Sequence, residues 1–444
     1  MTVKVSKYPW PPLVPMGTLP LIPSLINQII TSSTPVDDTK NHVWLRPLAL
    51  AETSPRHERF QALIDYFTAE TSEGRRPSDI VTLRRHWCYF LLNLSIATVQ
   101  RKWILVAMSK KSYSNDAWLK RYDFRYAASK AIVDYLQDKG LVEVKPGAKY
   151  KNQPLRTRVF PSVHLQQQLI GLSLEAEEPI EPPYLIINEP EGGYAEAFAS
   201  VPKSHPDKAD MTTINDFLRG HRWAGKGPVR LVYKHDPFSS GRLITSFQSL
   251  PDRRIRIRIN TLINDKPICE VDFNANHLRL NLAVFSGEDA GETPYEDIGE
   301  IAGIDNRGIV KTFITIAMGA STEGAAEKAC RAGHIDRKSF ELLKTATLRR
   351  YPSVLLFKGF GIHAQSLEGQ ILKDVMLAGV TAGKIVLPVH DAVAVVQDDA
   401  AWAKEQMLEA WGRHANCEGG TARARLKIDL PDRSEKGSLK EPPN

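Results

Sequence analysis

The sequence has few cysteines, no long apolar run and no strong excess of one charge, and each shortage excludes a class of protein. Its four cysteines lie far apart and form no CxxC pair, which argues against a zinc knuckle or a disulfide framework and favours a cytoplasmic protein. The longest apolar runs, such as IVLPV at 385–389, fall far short of the ~20 residues that span a bilayer. The proline-rich N-terminus lacks the apolar core of a signal peptide. We therefore expect no membrane partner.

The composition is that of a globular protein with a hydrophobic core. Hydrophobic residues make up 42% of the 444 positions and aromatic residues 8%, values that are ordinary for folded domains. A chain of this length suits two or three domains. The net charge of +7 indicates a polyanionic partner only where positive charge is concentrated in one part of the chain.

Shifts in composition divide the chain into five segments. Seven glutamates, four prolines and no lysine or arginine fall between residues 175 and 196, a composition typical of linkers. Mixed strand and helix patterns follow, as in an α+β domain. We predict an extended N-terminal arm (1–58), a helical and winged-helix domain (59–171), an acidic, proline-rich linker (172–205), an α+β domain (206–430) and a disordered tail (431–444).

The 59–171 segment has the outline of a winged helix that binds nucleic acid. Apolar residues recur at helical spacing from 59 to 110, and a further helix is predicted over 125–139. The alternating strands LVEV and LRTRVF flank the basic turn KPGAKYKNQP. We expect DNA contacts from Arg125, Lys130, Lys149 and Lys151. The alternatives are a solvated helix with a hairpin, or a winged fold that contacts protein.

Two aspartates lie at the ends of apolar strands in the second half of the chain. In VDFNANHLRLNLAVFSGED (271–289) a strand changes to a helix just after Asp272, and in GKIVLPVHDAVAVVQDD (383–399) Asp391 lies at the turn between two predicted strands. Carboxylates at one sheet edge repel each other unless a cation lies between them, and hard oxygen ligands suit Mg²⁺. Two such ions can support phosphoryl transfer. Taken alone, each aspartate is interpreted more simply as a strand cap or a turn residue.

The order of motifs around these aspartates resembles the family A DNA polymerases, the bacterial DNA polymerase I group. SSGRLITSFQSLP (239–251) is similar to the family's TGRLSS…NLQNIP stretch, and residues 271–289 resemble its motif A, DYSQIELR…LSGD. NRGIVKTFITIAMG (306–319) resembles motif B, HAQSLEGQILKDVM (363–376) a later helix near the primer and template, and VHDA motif C. The five stretches occur in the family's order and cover less than half of the chain.

The resemblance implies a right-hand palm with an antiparallel sheet and reduced fingers, preceded by the winged-helix domain. It implies that Asp272 and Asp391 are catalytic and, with the carbonyl of Phe273, hold two Mg²⁺ ions, with Mn²⁺ as the alternative.

The resemblance also implies contacts to the substrates, which would be a DNA primer and template and nucleoside triphosphates. Arg307 and Lys311, one helical turn apart, would bind the triphosphate, and His277 and Met318 would lie beside the nucleotide. Contacts to primer and template are implied for Arg242, Gln248, Gln365 and His390.

The stretch RRIRIRIN (253–260) alternates strictly between arginine and isoleucine. A strand with this pattern would pack its isoleucines into the core and present Arg254, Arg256 and Arg258 to a phosphate backbone. The alternative is a solvated sheet face.

Several departures from the family affect the choice of sugar. His277 stands where the family has a glutamate that helps exclude the ribose 2′-hydroxyl, Met318 stands in place of a tyrosine, and Ala392 replaces the second acid of motif C. ITIAMGAS also looks like the MTLAYGS stretch of single-subunit RNA polymerases. No exonuclease domain is expected within 59–171.

The sequence favours a compact, exonuclease-less DNA polymerase of a phage or another mobile element. One alternative is a primase or single-subunit RNA polymerase that uses ribonucleotides and binds RNA. Another is a catalytically inactive winged-helix replication initiator.

Overall fold

A computed structural model describes residues 35, 42–52, 54–150, 153–188, 204–234, 241–252, 256–415 and 423–431. Over these residues the protein is a mixed α and β structure with several sheets. The helices are α1 His57–Thr71, α2 Pro77–Gln100, α3 Lys110–Asn115, α4 Ala117–Arg121, α5 Tyr126–Asp138, α6 Val163–Leu169, α7 Leu172–Glu175, α8 Asp207–Arg219, α9 Asn276–Ser286, α10 Pro294–Ala302, α11 Arg307–Gly319, α12 Glu323–Ala332, α13 Arg337–Arg350, α14 Phe360–Ala382 and α15 Ala400–His414.

The strands pair into two larger sheets, one three-stranded sheet and two small ribbons. In chain order they are β1 His42–Trp44, β2 Ala49–Leu50, β3 Trp103–Val106, β4 Val142–Lys145, β5 Ala148–Tyr150, β6 Gln153–Leu155, β7 Thr157–Pro161, β8 Ala176–Glu177, β9 Leu185–Asn188, β10 Arg230–Lys234, β11 Arg242–Ile244, β12 Leu262–Ile263, β13 Lys266–Phe273, β14 Leu387–Val389, β15 Ala392–Val396 and β16 Leu426–Asp429.

The first half of the chain packs α1, α2 and α5 around a four-stranded sheet of order β1–β3–β7–β4. The helical prediction over 59–110 is confirmed for α1 and α2 and is wrong for Trp103–Val106, which form β3. Arg101 adopts a left-handed conformation (φ 54°) that ends α2. The four residues of β3 are all buried, so both faces of this strand are covered and its apolar run does not alternate.

The elements predicted around the basic turn are present at the predicted positions. The helix predicted over 125–139 is α5, and the two predicted strands are β4 and β7, which pair antiparallel. The turn between them contains the β5–β6 hairpin. Ile132, Val133 and Leu136 bury one face of α5 in the core.

The predicted arm and linker both contain regular structure. β1 and β2 lie inside the predicted arm, whereas residues 1–34, 36–41 and the tail 432–444 lie outside the described residues. Residues 172–188 contain α7, β8 and β9, so the linker prediction is wrong there, and residues 189–203 lie outside the described part. The glutamate content misled the prediction because Glu178 is buried between Arg46 and Arg230.

The hydrophobic core has two parts, which meet in the sequence between Ala176 and Ile180. The second part contains the sheet β9–β10–β11 and a five-stranded sheet of order β12–β13–β15–β14, in which β16 also pairs with β13. α14 packs against α8, α9, α11 and α15 and is the longest helix near this sheet. The consecutive helices α10 to α13 pack on one another.

None of the helices in the described part of the chain combines the length and the apolar character needed to cross a membrane.

Candidate active site

The two aspartates that the sequence singled out lie at neighbouring positions on the five-stranded sheet. β13 pairs antiparallel with β15, and Asp272 is the cross-strand partner of Ala392, the residue after Asp391. Asp391 lies in the tight turn between β14 and β15, where His390 adopts a left-handed conformation (φ 56°). The predicted hairpin with His-Asp at its turn is therefore confirmed, as is the change from strand to helix after Asp272. Phe273 ends β13 beside Asp272, with its side chain buried.

The surroundings of Asp391 disfavour its ionised form. Burial, followed by the negative charges of Asp272 and Glu368, raises the pKa of Asp391 to about 6. The pKa of Asp272 is also raised, first by burial, although the positive charges of Lys427 and Lys311 oppose the change. Burial and neighbouring acids thus both disfavour the ionised form of Asp391, and a cation bound beside it would favour that form.

Glu368 is a third carboxylate at this site that the sequence reasoning missed. It lies on α14 with its side chain 7% exposed, and its Oε2 lies 3.0 Å from Nε2 of His277 on α9. His277, predicted to lie beside the nucleotide, is therefore held by Glu368. The sequence held a signal for Glu368. It lies three residues after Gln365 in a largely apolar helix, and residues at this spacing share one helix face. Gln365 itself is half-buried on α14.

Lys427 is the second residue that the sequence reasoning missed. Its Nζ lies 3.1 Å from Oδ2 of Asp272, and the two residues are cross-strand partners on β16 and β13. The side chain of Lys427 is 66% exposed. The short alternating stretch LKID near the C-terminus was the only local sign of this strand, and nothing in it indicates the partner.

The two predicted triphosphate ligands lie in the first turns of α11, near Asp272. Nε of Arg307 lies 2.7 Å from Oε1 of Glu296, and its guanidinium carbon lies 5.2 Å from the ring centroid of Tyr295. Lys311 is exposed one turn later, and its charge acts to lower the pKa of Asp272. Burial raises the pKa of Tyr295 to about 12, and the charges of both Arg307 and Asp391 act on it. This ring therefore lies within electrostatic reach of both residues.

Met318, predicted to lie beside the nucleotide, is a buried residue of α11, and its contact with a nucleotide stays a prediction. Its side chain is only 2% exposed and belongs to the hydrophobic core of the second half. The helix α11 turns this position inward, as it does Ala317 and Phe313, which are also buried.

Three of the predicted primer or template contacts surround the His-Asp turn. Nη2 of Arg242, on β11, lies 2.9 Å from Nδ1 of His390. The backbone N–H of His390 donates to Oε1 of Gln248 at 3.4 Å. Arg242 and Gln248 thus support the turn that carries Asp391, although they lie 148 and 142 positions before His390 in the chain.

The predicted row of arginines on a strand is wrong for residues 256–260. These residues form a turn and a short 3₁₀ helix, Arg258–Asn260, and Arg254 lies outside the described residues. Arg256 pairs with Asp429 at 3.1 Å. Nε and Nη2 of Arg258 donate to the two carboxylate oxygens of Glu270 at 2.6 and 3.0 Å. Because Glu270 is buried on β13, it needs a cation beside it, and Arg258 is used inside the fold.

The predicted nucleic-acid contacts of the first half lie on and before α5 and in the hairpin. The side chain of Arg125, 66% exposed, pairs with Asp123, and that of Lys130 pairs with Asp134. The backbone N–H of Arg125 donates to Nε2 of the buried His86 at 2.8 Å. Lys149 lies in β5, and Lys151 lies outside the described residues.

The site can offer two carboxylates to a metal, with the remaining ligands coming from elsewhere. No group of three or more His, Cys, Asp or Glu side chains is placed to hold a metal ion within the described ranges. Mg²⁺ suits such a site, because it keeps several waters and is commonly bound by one or two carboxylates plus substrate phosphates. The excess negative charge at Asp391 fits a divalent cation, and the exposed Lys311 fits the phosphates that would accompany it.

A scan against models of protein families finds no match to this chain, and a search of curated proteins finds none either.

Proposed function

We propose that this protein is a template-directed nucleotidyltransferase, most specifically a compact DNA polymerase that extends a primer with deoxynucleotides. The observation that supports this function best is the pairing of β13 with β15, which brings Asp272 next to the turn that carries Asp391. Two stretches more than a hundred residues apart, each interpreted from sequence as a polymerase motif, thereby form one cluster of negative charge beside a helix with two exposed cations.

In the proposed reaction the 3′-hydroxyl oxygen of the primer attacks the α-phosphorus of the incoming nucleotide. A new P–O bond forms, the bond to the β-phosphate oxygen breaks, and pyrophosphate leaves with the electron pair while the hydroxyl proton passes to solvent. Asp272, Asp391 and the carbonyl of Phe273 would hold Mg²⁺, or Mn²⁺ in its place. When bound, the metal neutralises phosphate charge and makes the attacking hydroxyl more acidic.

The chain's own residues would position the substrates. Arg307 and Lys311 would bind the triphosphate with two cations from one face of α11. Arg242 and His390, which contact each other, would lie along the primer strand next to Asp391, with Gln248 holding the turn and Gln365 facing the template. In this proposal the five-stranded sheet is the palm, α10 to α13 are the reduced fingers, and α5 with β4 and β7 is a winged helix that binds DNA.

Ribonucleotide use, as by a primase or a single-subunit RNA polymerase, is the second candidate. It is favoured by the contact between His277 and Glu368. His277 stands where a carboxylate would help exclude the ribose 2′-hydroxyl. The nearby carboxylate of Glu368 contacts the His277 imidazole.

Extension of a labelled DNA primer on a template, in Mg²⁺, tests these proposals. The wild type would be supplied with dNTPs or rNTPs separately and compared with Asp391→Ala and with the matched control Asp398→Ala, which changes an exposed aspartate seven residues away. We expect dNTP extension that Asp398→Ala retains and that Asp391→Ala lowers by about a hundred- to a thousandfold, as for removal of a central electrostatic group.

Other outcomes would decide between the remaining candidates. Preferential use of rNTPs, or products formed without primer, would favour the primase or RNA polymerase. DNA binding without any product from either sugar would overturn the enzyme and leave the replication initiator.

A further inference from the structure

A cavity of about 220 Å³ lies between the two parts of the hydrophobic core. One wall comes from β1, β3 and the α3–α4 region, and the other comes from β9, β10 and the segment after β11. Two direct contacts join these walls next to the cavity. Nη1 of Arg46 donates to Oγ of Ser246 at 2.7 Å, and Arg46 also pairs with the buried Glu178.

The lining combines aromatic rings with guanidinium planes. The guanidinium carbon of Arg156 lies 4.5 Å from the ring centroid of Trp44, and that of Arg230 lies 5.6 Å from the ring centroid of Trp118. Tyr113 completes the aromatic part of the wall. Aromatic rings and arginine planes are the two kinds of surface on which unpaired nucleobases stack in proteins.

The cavity is also positively charged. It is lined by four cations, Arg46, Lys102, Arg156 and Arg230, and by two acids, Asp116 and Glu178. Both acids are already neutralised, Asp116 by Arg156 at 2.9 Å and Glu178 by Arg230 at 2.6 Å. No ion pair of Lys102 is seen among the described residues. A ligand of this cavity should therefore carry a flat ring and a negative charge.

The size and place of the cavity restrict the ligand further. Its volume is below the ~300–1,000 Å³ of pockets for drug-sized ligands, which suits one ring system. Ile244, Thr245 and Ser249 line it, and they follow Arg242, which contacts the His-Asp turn at 2.9 Å. A strand bound at the candidate active site therefore has a short route along β11 to the cavity.

We propose that this cavity binds one unpaired nucleobase together with its phosphate. The base comes either from a single strand or from a free nucleotide, and the two sources share this chemistry. The site goes beyond the proposed polymerisation because it requires no metal and no bond formation.

Fluorescence anisotropy tests the proposal by measuring how tightly the full chain binds a fluorescein-labelled single-stranded 12-mer. The assay contains EDTA and no nucleoside triphosphates. Ser249→Trp blocks the rim from an exposed position, and Lys102→Ala removes a cation without emptying the core. Ser78→Trp is the matched control, because it adds the same ring at an exposed site at the far end of α2 from Gln100. Unlabelled dAMP and a duplex of the same sequence serve as competitors.

We expect Ser249→Trp to weaken single-strand binding at least about fivefold, the lower bound for losing one stacked base, and to leave duplex binding unchanged. Lys102→Ala should lower the slope of log K against log salt by about 0.7, the value for one single-strand phosphate contact, and it keeps the test valid if Ser249→Trp does not fold. If only competition by dAMP weakens, the source is a free nucleotide.

Unchanged affinities for both probes in both variants would overturn the proposal. Because the assay requires no catalysis, this result is distinguishable from failure of the proposed polymerase activity, which the primer-extension experiment reports separately.

Discussion

Two groups of buried or half-buried carboxylates lie against the same helix, α14, and their charges are balanced in opposite ways. Asp207 and Asp210 surround the buried Lys373, which pairs with Asp207 and lies 2.8 Å from Asp210. Burial acts to raise the pKa of Asp207, yet hydrogen bonds from Lys373 and Tyr233 outweigh it and hold the pKa below its usual value. Five residues earlier on α14, Glu368 adds a negative charge next to Asp391, whose pKa is raised to about 6.

The difference separates carboxylates whose charge is balanced by a cation within the fold from carboxylates that are candidates for a functional site. A buried acid with a dedicated cation stabilises the contact between two elements, here α8 and α14. A buried acid whose nearest charges include other acids lowers the stability of the free protein, which makes such an acid a candidate for a functional site. The following experiments test this contrast, from the largest expected effect to the smallest.

Lys373→Met should lower the free energy of unfolding by about 3–5 kcal/mol, because it leaves Asp207 buried without its cation. Urea denaturation measures the loss. The control is Lys130→Met, the same substitution in the exposed Lys130–Asp134 pair, which should change the free energy of unfolding far less because an exposed ion pair contributes little to stability. Equal losses in the two variants would contradict the balanced character of the first group.

Asp391→Asn should change stability in the opposite direction: it should raise the free energy of unfolding at pH 7.5 by about 1–3 kcal/mol. The same variant should abolish primer extension. The folded-state pKa of Asp391, about 6, lies above its ordinary value of 3.8, so between these values the folded state binds more protons and gains stability as the pH falls.

The advantage of the Asn variant should therefore shrink to below about 1 kcal/mol at pH 4, which urea denaturation at the two pH values measures. Asp207→Asn is the matched control and should destabilise the protein at pH 7.5, because the folded-state pKa of Asp207 is lowered. A loss of stability in both variants at pH 7.5 would remove the distinction between the two groups.

Lys311→Ala should raise the KM for the incoming nucleotide on the order of tenfold, the equivalent of one charge-assisted hydrogen bond. Steady-state primer extension at varied nucleotide concentration measures the change. Lys328→Ala, an exposed lysine on the neighbouring α12, controls for the loss of one positive charge. If both variants raise KM equally, Lys311 acts through the overall charge of the protein and not as a ligand of the triphosphate.

Arg256→Ala should have the smallest effect, a loss of less than about 1 kcal/mol, because its pair with Asp429 is partly open to solvent, the two side chains being 32% and 42% exposed. Arg258→Met, two residues later, should cost about 3–5 kcal/mol, since it leaves the buried Glu270 unpaired. Thermal and urea denaturation of the two variants compare a partly exposed and a buried guanidinium within one short segment. A larger loss for Arg256→Ala would contradict the assignment of Arg258 to the fold.

Several parts of the fold could be predicted from the sequence because they depend on neighbouring residues. The helices α1, α2 and α5, the strands β4 and β7, and the β14–β15 hairpin follow from apolar spacing over four to twenty residues. The strand β3 was missed because WILV continues the apolar pattern of α2, and only its place between β1 and β7 makes it a strand. The strand predicted from the arginine–isoleucine alternation failed at residues 256–260 for a similar reason, since Arg258 pairs with Glu270 on β13 inside the fold.

The sequence by itself determined that Asp272 and Asp391 each end an apolar strand, because local hydrophobic patterns and the His-Asp turn suffice for that. Only the tertiary structure decided that they are neighbours, that Glu368 and Lys427 join them, and that Met318 is buried in the core. Charge pairing depends on distance in space, and the residues concerned come from β13, β16, α9 and α14, which are separated by up to 155 positions between Asp272 and Lys427 (427 − 272). Local sequence patterns do not encode contacts over such separations.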